Sequence, residues 1–343
     1  MSIRVIKPGL LTTIQDLGRW GYQKYGVPVS GAMDKDAVRI ANMLVGNEEA
    51  DAVLEVTLSG AEFRMEHTGL IAVCGGNLRP VIDDMPLPMW RPVIVNEGSR
   101  IKFRGPDYSS KRGCRAYIAF AGGIDVPVLM GSRSTYIRSE LGGYSGRMLQ
   151  AGDVLSVLKP GECSRLLEQR IAEERRVKHI GYVTTAWYVD PSGFYPRENV
   201  IRVMEGSHFS WMTARGQQSF VYQKYRIEPS SDRMGYRLRG TEGPLELTGE
   251  IELLSEGVTE GTIQLPPSGE PILLLADRQT TGGYPRIAHV ASADLALLAQ
   301  LPPGAQLSFH LISVQEAERL LIMKETQMNQ LRHSIKLKAF LGN

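Results

Sequence analysis

Between residue 70 and about residue 160 the apolar residues come in short runs. Leu70–Val73, Pro92–Val95, Ile101–Phe103 and Tyr117–Phe120 are each bounded by Gly, Pro, Asn or Asp. Runs this short are too brief for helices that would build a core, and they match buried strands closed by turns. The pattern predicts a mainly β (α+β) fold, and 36 Gly and 19 Pro among 343 residues supply the turns it needs. Another strand is expected at 3–6, ended by Pro8-Gly9.

Helical signals are few. Over 34–45, Asp34 and Asp36 fall in a first turn, where the helix dipole favours anions. Val38, Ala41, Leu44 and Val45 share one face, and Gly46 suits the stop. The charged segment LLEQRIAEERRVK, from Leu166, reads equally as helix or exposed linker. Ser313-Val-Gln-Glu316 is a capping box before an apolar stripe of Ala317, Leu320, Leu321, Met328, Leu331 and Ile335. Arg332, Lys336 and Lys338 then stand near the end that favours cations. This last helix packs on the core or on a partner.

A chain of 343 residues suggests about two domains. The second half echoes the first: Tyr22-Gln-Lys-Tyr25 recurs as Tyr222-Gln-Lys-Tyr225, and both AYIAFAGGIDVP and ILLLADRQTTGGYP run from a strand into paired glycines. We expect two similar β units, 1–160 and 161–312 (the latter opening on a linker), then a C-terminal helix over 313–343. Two such units facing each other would bring the Gly-Gly turns near a shared cleft.

Composition narrows function by exclusion. With 39 Lys and Arg against 37 Asp and Glu the net charge is +2, and no block of like charge marks a nucleic-acid binder. No apolar stretch reaches the ~18 residues of a membrane span, and the opening lacks a signal-peptide core. Cys74, Cys114 and Cys163 have no CxxC spacing, so neither a disulfide frame nor a zinc site is expected. Cys74, at an apolar strand end, reads as a buried structural thiol. The six histidines show no HxH or HExxH pair, and no metal site is expected. These features predict a soluble cytoplasmic protein.

The densest chemistry follows the apolar run ILLL. Asp277, Arg278, Gln279, Thr280, Thr281, Gly282, Gly283 and Tyr284 place an acid, a guanidinium, an amide, two hydroxyls, a phenol and two accessible backbone N–H groups at one strand end. A polar hairpin with Asp277 and Arg278 satisfied locally is the structural alternative. Gly131-Ser-Arg133-Ser-Thr135 could form an anion nest or an ordinary turn. The Arg233 cluster SDRMGYR and the Asp16/Arg19 cluster read as ion-paired turns or as parts of a site. His208 is the best placed acid–base histidine, although a structural role fits it too. A P-loop and a GxSxG elbow are both absent from the sequence.

The words TTIQDLGRWGYQKYGVPVSGAMD, IANMLVGN, FAGGIDVP, GSRST, SDRMGYRL and DRQTTGGYP, in that order, resemble the family of 5-oxoprolinase C subunits. That family includes allophanate hydrolase subunit 2, the carboxyltransferase part of urea amidolyase and KipA. LIAVCGG and GSRSTY are most similar to Bacillus-type KipA. The resemblance implies two cyclophilin-like β-barrels. It also implies joint action with a KipI-like B subunit plus a LamB/YcsF-like A subunit in hydrolysing 5-oxo-L-proline to L-glutamate with ATP and Mg2+. A lactam carbonyl is a poor electrophile, and phosphorylating its oxygen makes a leaving group. Such a site needs cations for phosphoryl charge and a donor or acid at the lactam. Arg133, Arg278 and the Gly282-Gly283 amides suit the first role, and Asp277 or Gln279 the second. A carboxyltransferase alternative would need biotin from another chain, because Lys324 stands in IMKET and not in Met-Lys-Met. A further alternative is a non-enzymatic antagonist of a KipI-like kinase inhibitor.

Overall fold

The computed structural model describes residues 1–106, 113–174, 177–179, 181–196, 198–249 and 253–341. The fold is mainly β, with α-helices at Lys35–Leu44, Glu162–Glu174, Ala214–Tyr222, Leu295–Ala299 and Val314–Leu341. It divides into two compact units. One holds Met1–Arg19, Asp34–Phe194 and Gln327–Asn343, and the other Trp20–Met33 and Tyr195–Thr326. The chain crosses between them more often than the expected cuts at 160 and 312. Residues 161–194 belong to the first unit, and residues 20–33 to the second.

In the first unit the short apolar runs are strands, as their turn-bounded spacing predicts. Pro92–Val95, Gly69–Gly75, Arg115–Phe120, Val53–Thr57 and Leu11–Gln15 lie consecutively in a seven-stranded sheet. A second sheet of six strands includes Ser2–Pro8, Ala61–Met65 and Arg100–Phe103. Ile3, Val5, Phe63 and Phe103 from one sheet join Leu54, Val56, Val73 and Ile118 from the other in a single core. Side chains alternate across a strand, so each sheet gives this core every second residue.

Helix Lys35–Leu44 starts where the sequence places it: the Asp34 carboxylate accepts from the Ala37 N–H at 2.9 Å. The ambiguous segment from Leu166 continues a helix over Glu162–Glu174, and Arg175 and Arg176 lie outside the described residues. In the last helix the Glu316 N–H donates to Ser313 Oγ at 3.1 Å, so Ser313 caps it. The Glu316 carboxylate turns instead to Arg319. Ala317, Met328 and Ile335 of the expected stripe are buried, whereas Leu321 faces solvent.

The second unit is a closed barrel of seven strands. In barrel order they are Val200–Glu205, Arg286–Val290, Thr262–Gln264, Ile272–Leu274, Gly235–Gly240, Tyr225–Ile227 and Gln306–Leu311. Closure is made by one parallel pairing, Val200–Glu205 with Gln306–Leu311. Phe220, Tyr225 and Phe309 stack inside with Ile201, Leu238 and Ile263. The two YQKY words do not mark equivalent positions in two repeats. Both fall in this unit, one around the 3-10 turn Gln23–Tyr25, the other across the end of helix Ala214–Tyr222 into strand Tyr225–Ile227.

Candidate functional site

Strand Ile272–Leu274 lies inside the barrel wall, between Gly235–Gly240 and Thr262–Gln264. Its end is therefore fixed on both sides as the backbone leaves through buried Leu275 and Ala276. Three loops are laced together there. The Asp277 N–H donates to Arg233 O and the Leu275 N–H to Met234 O, each at 2.9 Å, and the Ser30 N–H donates to Ala276 O at 3.1 Å.

Side chains complete the lacing. Arg233 Nε and Nη2 donate to the two Asp277 carboxylate oxygens at 2.8 and 3.1 Å, and Nη2 also donates to Gly31 O at 2.6 Å. Both residues are 6% exposed. A planar guanidinium matches a carboxylate in this two-bond geometry, so the pair holds the loop in one orientation. The Asp277 carboxylate is thus taken up by Arg233.

Arg278 is buried too. Its Nη1 donates to Leu275 O at 3.3 Å, and its Nε has no hydrogen-bond partner among the described residues. Burial lowers its pKa from the ordinary arginine value, while the nearby Glu260 and Asp277 charges oppose that shift. His289 is held below its ordinary value by burial and by the Arg278 charge, with Nδ1 3.4 Å from Thr262 Oγ1.

Beyond Arg278 the loop comes to the surface: Gln279, Thr281 and Tyr284 are exposed, and Thr280, Gly282 and Gly283 are half-buried. Its shape is fixed from the other side. Thr281-Gly282 pairs with Glu256-Gly257, and the Val258 N–H donates to Thr280 O at 3.0 Å. Gln264, buried in the barrel wall, donates to Tyr284 O at 3.4 Å. A Cβ on Gly282 would lie 2.5 Å from Gln264 Nε2, so a larger residue there would have to displace the Gln264 amide. Arg286 ties the loop's exit to Glu256 and to Gly257 O.

Thr280 and Thr281 line a cleft of about 610 Å3 together with Gln23, Lys24, Val258 and Thr259. Gln23, Lys24 and Thr259 are residues the sequence reading missed. YQKYGVP carried the signal, but it was read as half of a repeat. His208 is structural here: its Nδ1 accepts from the Arg286 N–H at 3.1 Å and its ring lies 4.2 Å from Trp211. Burial first, then the Arg286 charge, lowers its pKa from the ordinary value.

Arg133 belongs to the other unit. The nest expected at Gly131–Thr135 is formed, and an internal carboxylate fills it. Asp16 accepts from the Arg133 N–H at 2.5 Å, from Ser132 Oγ at 2.7 Å, and from Ser134 Oγ. Arg133 Nε donates to Val126 O at 3.1 Å. These donors are spent on Asp16, so the loop does not fit a nucleotide phosphate. Among the described residues, no helix is long and apolar enough to cross a membrane.

Residues 25–311 match the family model for the carboxyltransferase domain, subdomain A and B. The 5-oxoprolinase C subunit of Escherichia coli is 37% identical over 92% of this chain and 93% of its own. That of Haemophilus influenzae is 35% identical over 94% and 95%. The crystal structure of Kluyveromyces lactis urea amidolyase superposes on 96% of this chain with a TM-score of 0.80 at 29% identity; the match spans 20% of that longer chain.

Proposed function

This chain belongs to the family of carboxyltransferase domains, subdomains A and B, and from that premise we propose that it is the C subunit of an ATP-dependent 5-oxoprolinase. The observation that carries the reading is identity of 37% along nearly the full length of a protein bearing that name. The assembly hydrolyses 5-oxo-L-proline to L-glutamate and joins this chain to a KipI-like B subunit plus a LamB/YcsF-like A subunit. ATP is held by another chain of the assembly.

The site is the loop from Asp277 to Tyr284 and the cleft beside it. Asp277 and Arg233 position the loop from beneath. Arg278 supplies a fixed positive field at its base, strengthened by the low dielectric around it. Gln279, Thr280, Thr281, Tyr284 and the Gly282-Gly283 backbone present hydrogen-bonding groups to the ligand.

The test is omission. The A and B subunits are assayed with and without this chain for ATP-coupled glutamate formation from 5-oxoproline. The expected result is turnover only with all three, and little from this chain alone. Equal turnover without this chain would refute the reading. The urea amidolyase likeness favours a second reading, carboxyl transfer to urea from biotin carried on another chain. Turnover of urea and bicarbonate with a biotin carboxylase, in place of 5-oxoproline turnover, would establish it. Binding to the KipI-like protein without either activity would leave the antagonist role.

A further inference from the structure

We propose that Lys24 is the specificity residue of the cleft and pairs with a carboxylate on the ligand, here the carboxylate of 5-oxoproline; this rests on the 5-oxoprolinase reading. Lys24 is exposed at the cleft lining, its Nζ 5.0 Å from the centre of the Tyr25 ring. No hydrogen bond or ion pair joins it to any described residue. Nor does one satisfy the Gln23 amide or the Thr280 and Thr281 hydroxyls, which line the same cleft. Four polar side chains therefore open on one space without internal partners.

Charge decides the ligand class. None of the lining residues is acidic. The flanking Glu256 is paired with Arg286, and Glu260 lies in the field of buried Arg278. Lys24 is thus the uncompensated charge at the lining, and an ammonium with hydroxyl and amide donors around it selects a small carboxylate. 5-Oxoproline carries one, whereas urea is neutral and would gain little from the lysine. The half-turn Gln23–Tyr25 and the Gly26 that ends it fix Lys24 at the cleft. The lysine acts on binding and takes no part in bond making.

The experiment uses the assembled complex with the Lys24→Met and Lys24→Arg variants. Steady-state hydrolysis of 5-oxoproline is measured, with 5-oxoprolinamide, which lacks the charge, as competing inhibitor. The expected result for Lys24→Met is a KM raised about tenfold or more with kcat within about twofold. Lys24→Arg recovers most of the loss, and the amide's inhibition constant is the same in all three proteins. An unchanged KM, or an amide constant that rises in step with it, overturns the proposal. Equilibrium binding of labelled 5-oxoproline to the complex without ATP reads the same contact apart from turnover. Loss of wild-type turnover with intact, Lys24-dependent binding would sink the hydrolase reading and keep the carboxylate site. Binding that ignores Lys24, or is absent, would sink the site.

Discussion

Replacing Arg233 by Met removes the cation from a pair that is 6% exposed at both ends and leaves the Asp277 carboxylate buried without its two guanidinium bonds of 2.8 and 3.1 Å. Breaking a buried pair from one side costs about 3–5 kcal/mol, because the remaining charge is uncompensated. The Gly31 carbonyl also loses its 2.6 Å donor, which adds about 1 kcal/mol. At about 2–4 °C per kcal/mol for a unit of this size, Tm should fall by about 8–24 °C. Removing both charges, in Arg233→Met with Asp277→Leu, leaves no stranded ion and should recover more than half of that loss. Differential scanning fluorimetry of the purified chain gives both values. A fall of less than about 2 °C in the single variant would refute the claim that this pair holds the loop. So would a double variant as unstable as the two single effects added together.

Three further outcomes follow from other contacts. His208 and His289 are both held below the ordinary histidine value of 6.5. The unfolded chain takes up protons near that value and the folded chain only at lower pH, so their contribution is complete above about pH 6.5 and is lost as pH falls below it. Thermal melts from pH 7.5 to 5.5 should show the decline, and His208→Asn, which keeps an acceptor that does not titrate, should reduce it to the part that His289 contributes. Asp16→Ala strands the donors of Ser132, Ser134 and the Arg133 N–H, and should cost about 3 kcal/mol in urea denaturation. Met328→Ala, at a side chain with no exposure, should cost about 2–5 kcal/mol by the same method.

Local structure was legible in the sequence because its causes are local. The strands Pro92–Val95 and Arg115–Phe120 are bounded by nearby turn residues, and helix Lys35–Leu44 by a cap three residues from its partner. What was hidden depends on distant partners. Residues 20–33 join the second unit because Met33 enters its core and the Gly31 carbonyl and Ser30 N–H are taken up more than 200 residues away. Asp277 reads as an acid offered at a strand end until Arg233, 44 positions earlier, is found paired with it. GSRST reads as an empty nest until Asp16, more than 100 positions earlier, is found inside it. The loop itself was visible, since an acid, an arginine and paired glycines after an apolar strand are a local pattern. Its cleft was not, because Lys24 and Thr280 line it from segments more than 250 residues apart.

The most direct test of the account is the turnover of the assembled complex carrying Arg278→Met. The substitution removes the buried positive charge at the base of the loop and keeps an unbranched side chain. Tm of the chain and its binding to the KipI-like protein serve as controls for folding. With both controls near wild type, the account expects ATP-coupled hydrolysis of 5-oxoproline to fall about 10²–10³-fold. Hydrolysis within about twofold of wild type, with folding and assembly intact, would contradict it and reduce the loop from Asp277 to Tyr284 to a structural hairpin.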